Sequence, residues 1–172
     1  VIDLPSSSTP IDFAYAIHSD SGDGTFGPKE FLPLGGTGNW FVRFAELNGD
    51  SRVDLAALCW NVRSTLNVLL NNGAGSVTTY AKYPRETQCC VGEGWNWLEG
   101  ADLDGDEAID LVAALQGGQS PHQIKVLLND GKGAFDDITG YALGPQGAST
   151  GEKVAVGDLN GDAIPDLVVC DA

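Results

Sequence analysis

The stretch DLDGDEAIDLVAAL, residues 102–115, sets Asp102, Asp104, Asp106, Glu107 and Asp110 within nine positions and then runs straight into an apolar segment. Four or five like charges that close together repel one another unless something positive joins them. The apolar run that follows has to be buried, so the acidic group is held at the mouth of a core strand.

The stretch is not alone. ELNGDSRVDLAAL begins at Glu46 and DLNGDAIPDLVVC at Asp158, and the three segments align without gaps at starts 56 residues apart. A second signature, LNVLLNNGAGSV (66–77) and IKVLLNDGKGAF (124–135), follows the first two, and FAYAIHSDSGDGTF (13–26) precedes them all. Each unit reads as acidic loop, buried strand, second strand, Gly-rich hairpin and third strand, because paired Asn, Asp and Gly mark tight turns. A repeat of this length with three or four short strands fits a β-propeller blade, and is too long for leucine-rich or ankyrin repeats. Leu55 to Trp60 and Leu111 to Leu115 are continuous apolar runs of mostly small residues, as expected of an inner strand covered on both faces.

Carboxylates at loop positions 1, 3, 5 and 9, with a main-chain carbonyl at 7, bring together the hard oxygens that Ca²⁺ takes at about 2.3–2.6 Å. The middle loop supplies Asp102, Asp104, Asp106 and Asp110 with the carbonyl of Ala108. The third supplies Asp158, Asn160, Asp162 and Asp166 with the carbonyl of Ile164, and the first Glu46, Asn48, Asp50 and Asp54 with the carbonyl of Arg52. The expectation is up to three Ca²⁺ per chain. The first loop departs from the others in its Glu, one methylene longer than Asp, and in the positive charge of Arg52. An EF-hand is excluded: it needs Gly at position 6 and Glu at 12, whereas Gly stands here at position 4 (Gly49, Gly105, Gly161) and position 12 is Ala57, Ala113 or Val169. The plain alternative is a solvated acidic turn, which three copies at fixed spacing disfavour.

The pattern D-x-[ND]-G-D-x-x-x-D-L followed by a hairpin such as NDGKGAF resembles the FG-GAP, or VCBS, repeat over nearly the whole chain. The resemblance implies propeller blades, each with a calcium loop, as in integrin α-subunit heads, fungal lectins and secreted bacterial proteins. The Phe-Gly element itself is matched by Phe26-Gly27, and drifts to Val77 and to Phe135-Asp136 in the later copies.

The fold expected is therefore all-β: one propeller or half-propeller domain over residues 1–172, with three blades' worth of strands and calcium loops at 46–54, 102–110 and 158–166. Residues 13–26 match the later strands of a blade and 158–170 the earlier ones, so the two are complementary, as in strand exchange. Three blades are too few for a closed ring, which typically has four to eight. The expectation is either a fragment of a longer propeller or a homodimer closing a six-bladed ring.

Nine Lys and Arg against 24 Asp and Glu give a net charge of −15, the wrong sign for neutralising phosphates, so nucleic acid is not an expected partner. Neither is membrane insertion, since no apolar run reaches the roughly 18–20 residues of a spanning helix. Cys59, Cys89, Cys90 and Cys170 are an even set; with calcium, they suggest a secreted chain with structural disulfides, the other reading of Cys59 or Cys170 being a buried thiol on an inner strand.

Nothing assembles a catalytic site. His18 and His122 sit in no H-E-x-x-H motif and beside no nucleophile. GDGTFG (22–27) fits G-x-G-x-x-G only formally, in a hairpin with no helix after it. The acidic loops are triplicated, which a glycosidase carboxylate pair has no reason to be. The segments before the loops vary and carry the aromatics: Trp40 in GGTGNWFVRF (35–44), Trp95 and Trp97 in VGEGWNWLEG (91–100). Aromatic faces beside polar groups suit a sugar ring, and the other reading is that these rings pack between blades. A non-enzymatic recognition module is expected, with a carbohydrate or an extracellular protein as ligand. The alternatives are an integrin-like adhesion module and a non-catalytic domain of a secreted polysaccharide-active enzyme.

Overall fold

The computed structural model describes residues 13–19, 26–33, 38–60, 65–74, 77–83, 93–117, 123–143 and 153–170. Among them are twelve strands and no helix. β3 (Gly38–Ala45), β4 (Asp54–Trp60), β5 (Thr65–Asn71) and β6 (Val77–Tyr83) form a four-stranded antiparallel meander. β7 (Glu93–Ala101), β8 (Asp110–Gly117), β9 (Gln123–Leu128) and β10 (Asp137–Ala142) repeat it. Two further sheets are antiparallel pairs, β1 (Phe13–Ser19) with β2 (Phe26–Pro33) and β11 (Lys153–Gly157) with β12 (Asp166–Cys170). These two pairs are separate sheets, with no ladder joining them among the described residues.

The repeating unit starts one strand earlier than the sequence suggests. Each acidic loop is the connection between the first and second strands of its sheet, closing at Ala45↔Asp54, Ala101↔Asp110 and Gly157↔Asp166. The aromatic segments ahead of the loops, expected to be ligand-facing, are thus largely strands β3 and β7. Each carries an irregularity at the same place, a bulge between Asn39 and Phe41 and its counterpart between Trp95 and Trp97. One extra residue flips the alternation of everything beyond it.

The pleat sends successive residues of the second strand to opposite sides, and each side meets a different sheet. From β4, Ala56 and Leu58 enter the main core with Leu66, Val68 and Tyr83 of the same sheet and Leu98, Leu111, Leu127 and Phe135 of the next. Leu55, Ala57 and Cys59 face the other way, with Leu32 of β2 packed against them. From β8, Val112 and Ala114 meet Val154 of β11, with Leu167 and Val169 of β12 beside them. The sheets are stacked in chain order, and the second strand is covered on both faces, as its unbroken apolar run implies. Alanines 56, 57, 113 and 114 are all fully buried, so the sheets approach closely where these small side chains sit.

Neighbouring units are also tied by polar bonds. The Phe135 amide donates to the Tyr83 hydroxyl at 2.8 Å, and the two rings meet edge to face with centroids 5.9 Å apart. The expected disulfides find no support. Cys59 is a buried thiol that accepts from Asn67 Nδ2 at 2.9 Å, Cys170 is an exposed thiol, and Cys89 and Cys90 lie outside the described residues.

Candidate metal centre

The second and third acidic loops are built by the same local bonds, and the first shares those made by positions 3 and 5. The position-1 carboxylate caps the turn: Asp102 accepts the amides of Gly105 (2.7 Å) and Glu107 (3.0 Å), and Asp158 those of Gly161 (2.6 Å) and Ala163 (2.9 Å). The position-3 side chain accepts the position-5 amide, as in Asp104 with Asp106 at 3.2 Å and Asn160 with Asp162 at 2.9 Å. The position-5 carboxylate accepts the position-7 amide, Asp106 from Ala108 and Asp162 from Ile164, both at 2.8 Å. These are Asx-type turns, which Asp and Asn favour because the side chain reaches its own backbone two residues on.

The chain bends through left-handed conformations at positions 4 and 6. Position 4 is Gly in every copy, with φ of +77°, +84° and +82° at Gly49, Gly105 and Gly161. Position 6 is Ser51, Glu107 or Ala163, at φ +63°, +72° and +68°. Side chains there cost energy that the cap bonds to Glu107 and Ala163 help to offset.

The position-9 aspartates play a part that loop spacing does not reveal. Asp110 is fully buried, and its two oxygens accept the amides of Leu103 (2.8 Å) and of Asn129 (2.7 Å), from the far hairpin. Asp54, also fully buried, does the same with Leu47 (2.9 Å) and Asn71 (2.8 Å). Asp166 holds Leu159 at 2.9 Å. Burial pushes the Asp110 carboxyl above its ordinary pKa, against the pull of the two amides, and the charges of Asp104 and Asp106 add to the rise. Asp158, exposed, is held below its ordinary value, chiefly by the Ala163 and Gly161 amides.

Asn129 is a determinant that sequence reading missed. It is 4% exposed, and its amide makes four bonds: Nδ2 to the carbonyls of Leu47 (3.0 Å) and Ile109 (2.9 Å), Oδ1 from the amides of Gly131 and Gly133 (both 3.1 Å). It joins its own hairpin to its own loop and to the loop of the preceding sheet. The only signal in the sequence is the Asn shared by LLNN and LLND, where Asn71 bonds Val53 O (3.1 Å) and the Gly73 amide (2.8 Å). Between these parts lies an open cleft of about 290 Å³, lined by Glu46 and Gly49 on one side and Asp106, Glu107 and Asp130 on the other.

The test of fit to a cation is donor separation. Ligands at about 2.3–2.6 Å from one centre lie at most about 5 Å apart. Oxygens of Asp102, Asp104 and Asp106 all lie within 4.8 Å of one another, so the middle loop meets that condition. The third loop has the same hydrogen-bond frame around Asp158, Asn160 and Asp162. The first does not: the Arg52 guanidinium bonds Asp50 Oδ2 at 2.7 Å, and Glu46 turns one oxygen to three amides, of Asn48, Gly49 and Asp50.

The tryptophans are placed differently from one another. Trp95 is 3% exposed in the main core. Trp97, beyond the bulge, packs on the opposite side beside Val154, donates its indole N–H to the Val154 carbonyl at 2.7 Å, and lies 4.9 Å from the Phe41 ring. Arg43 and Lys153 approach that ring at 6.0 and 5.7 Å, and Arg43 is ion-paired with Glu99. Trp95 and Trp97 therefore fill the space between sheets, the packing role that stood as the alternative. Trp40 falls in β3 with its side chain outside the described residues, as does that of His18 in β1; His122 lies wholly outside them.

Neither a curated protein nor a solved structure matches the chain. The TGS domain matches residues 1–28, a short stretch that overlaps β1 and the start of β2. The FG-GAP-like repeat matches residues 47–113 and again 102–169, one match for each step of the acidic loops. Those two matches together take in well over half of the sequence, and the chain belongs to the FG-GAP-like repeat family.

Proposed function

We propose that this chain is a calcium-stabilised β-propeller segment that works as a recognition module and not as an enzyme. The observation that carries the reading is the convergence of Asp102, Asp104 and Asp106 oxygens to within 4.8 Å at the mouth of a buried strand. The same turn frame recurs at 158–166. Calcium at these loops would neutralise carboxylates that otherwise repel one another, and would add RT ln(1 + [Ca²⁺]/Kd) of stability per site.

A propeller is supported by the way the first strands meet: β3 contacts β7 and β7 contacts β11, as strands around a common axis do. The pairs β1–β2 and β11–β12 correspond to the later and earlier halves of one blade. Joined between two copies they would make a six-bladed ring; in a longer chain, further blades would complete it. The ligand of such a module is a carbohydrate or an extracellular protein, met at the loop face of a secreted chain, since propeller loops gather at the blade ends. With Trp95 and Trp97 packed between sheets, the loops and the cleft beside Asp106 and Asp130 become the surfaces to test.

Thermal melts in calcium and in EDTA test the metal. A melting temperature that falls by several degrees in EDTA supports it, and identical melts refute it. A glycan array probed in both conditions then separates the ligands: calcium-dependent binding to one sugar family supports a lectin, and a blank array with a cooperatively folded protein turns the reading to protein adhesion.

A further inference from the structure

The first acidic loop carries its own cation. In loop 46–54, Arg52 Nη1 lies 2.7 Å from Asp50 Oδ2, the carboxylate that in the other copies has only uncharged donors within hydrogen-bond reach. The rest of the guanidinium lies against Gly73 in the hairpin of the same sheet: a Cβ placed there would stand 2.7 Å from Arg52 Nε and 3.2 Å from Cζ. The counterpart of Gly73 in the next sheet is Gly131, which has open space at that point, and the counterpart of Arg52 is Ala108. The glycine is common to both units, and the arginine that lies against it is present in the first alone.

Position 1 changes in the same loop. Asp102 and Asp158 divide their two oxygens between the amides at positions 4 and 6, whereas Glu46 gives Oε1 alone to the amides of Asn48 (3.0 Å), Gly49 (2.6 Å) and Asp50 (3.1 Å). The longer side chain folds under the turn, and one oxygen does the capping that two do elsewhere. A divalent ion at this centre would have to displace the guanidinium from Asp50 and lie within a few ångströms of a fixed positive charge.

We infer that loop 46–54 is closed to divalent cations, its Arg52 guanidinium standing where the other loops take calcium, so that the chain binds two ions and not three. This rests on the reading of loops 102–110 and 158–166 as calcium sites. Its consequence is a unit whose turn stays formed in chelator while the turns of its neighbours loosen.

Equilibrium dialysis of the whole chain against Ca²⁺ counts the sites. Two ions per chain are expected, falling to one in Asp104→Ala and to one in Asp162→Ala, and rising to three when Glu46→Asp and Arg52→Ala are combined to give the pattern of the middle loop. Three ions in the unaltered chain, or two in that double variant with its far-ultraviolet dichroism intact, would overturn the inference. No ion at all would remove the calcium reading itself and the inference with it. Hydrogen exchange gives a measurement free of variants: in EDTA the amides of Gly49, Asp50 and Arg52 should keep their protection while those of Gly105, Glu107 and Ala163 exchange at least tenfold faster than in calcium. Equal acceleration in all three loops would overturn the inference.

Discussion

Replacing Asp110 by Ala separates a structural role from a metal role. The side chain is fully buried and accepts two amides, from Leu103 and Asn129. Removing it strands both, and a buried amide left without a partner costs about 1–3 kcal/mol, so the pair comes to about 2–6 kcal/mol. Part is returned, because the carboxylate no longer has to be kept dry; burial already raises its pKa. A net loss of about 2–4 kcal/mol is expected. Asp104 is exposed and holds a single amide, that of Asp106 at 3.2 Å, so Asp104→Ala should stay within about 0.5 kcal/mol of the unaltered chain when no cation is present. The assay is urea unfolding at pH 7 in EDTA, read by dichroism, for the three proteins side by side. In calcium both variants also forfeit the ion, worth about 2.7 kcal/mol at a hundredfold excess over Kd, so Asp104→Ala falls well below the unaltered chain while the gap between the two variants persists. If Asp110→Ala costs less than about 0.5 kcal/mol in EDTA, the clasp between loop and hairpin is not what holds this unit together.

Asn129→Ala breaks four hydrogen bonds at a buried position that spans two sheets and should cost about 2–4 kcal/mol, against about 1 kcal/mol for Asn71→Ala, whose bonds are fewer and more exposed; equal losses in urea unfolding would contradict this. Tyr83→Phe keeps the edge-to-face ring contact but leaves the buried Phe135 amide without its acceptor, an expected loss of about 1–3 kcal/mol that a thermal melt would register as a drop of several degrees. Cys59 has its thiol pushed up to about 11 by burial, above its ordinary 9.0. Its contribution to stability is therefore fully present below pH 9 and is lost as the pH rises towards 11, because the unfolded thiol ionises first. The melting temperature of Cys59→Ala should fall less steeply than that of the unaltered chain over this window; parallel slopes would show that the thiol is not so buried.

Much of each loop is legible in the sequence because its bonds are local. Asp102 to Gly105, Asp104 to Asp106 and Asp106 to Ala108 span two or three residues, so the residue types at fixed offsets suffice to predict the turn. The apolar runs after Asp54 and Asp110 likewise announce strands covered on both faces. What pairs with Asp110 is not legible, since Asn129 lies 19 residues on and is brought to it by the register of β8 on β9. The positive φ of Ser51, Glu107 and Ala163 was equally hidden, because none of these is a residue that favours it.

The sequence by itself determined the all-β class, the 56-residue step and the acidic turns with their local hydrogen bonds, each of which depends on neighbours along the chain. Only the tertiary structure decided that the aromatic segments are first strands, that Trp95 lies in the main core while Trp97 sits between Phe41 of β3 and Val154 of β11, and that Arg52 reaches from Asp50 to Gly73. A bulge of one residue inverts every face beyond it, and the Arg52 guanidinium comes to lie against the Gly73 backbone of the hairpin, so these outcomes depend on register and packing that no spacing along the chain encodes.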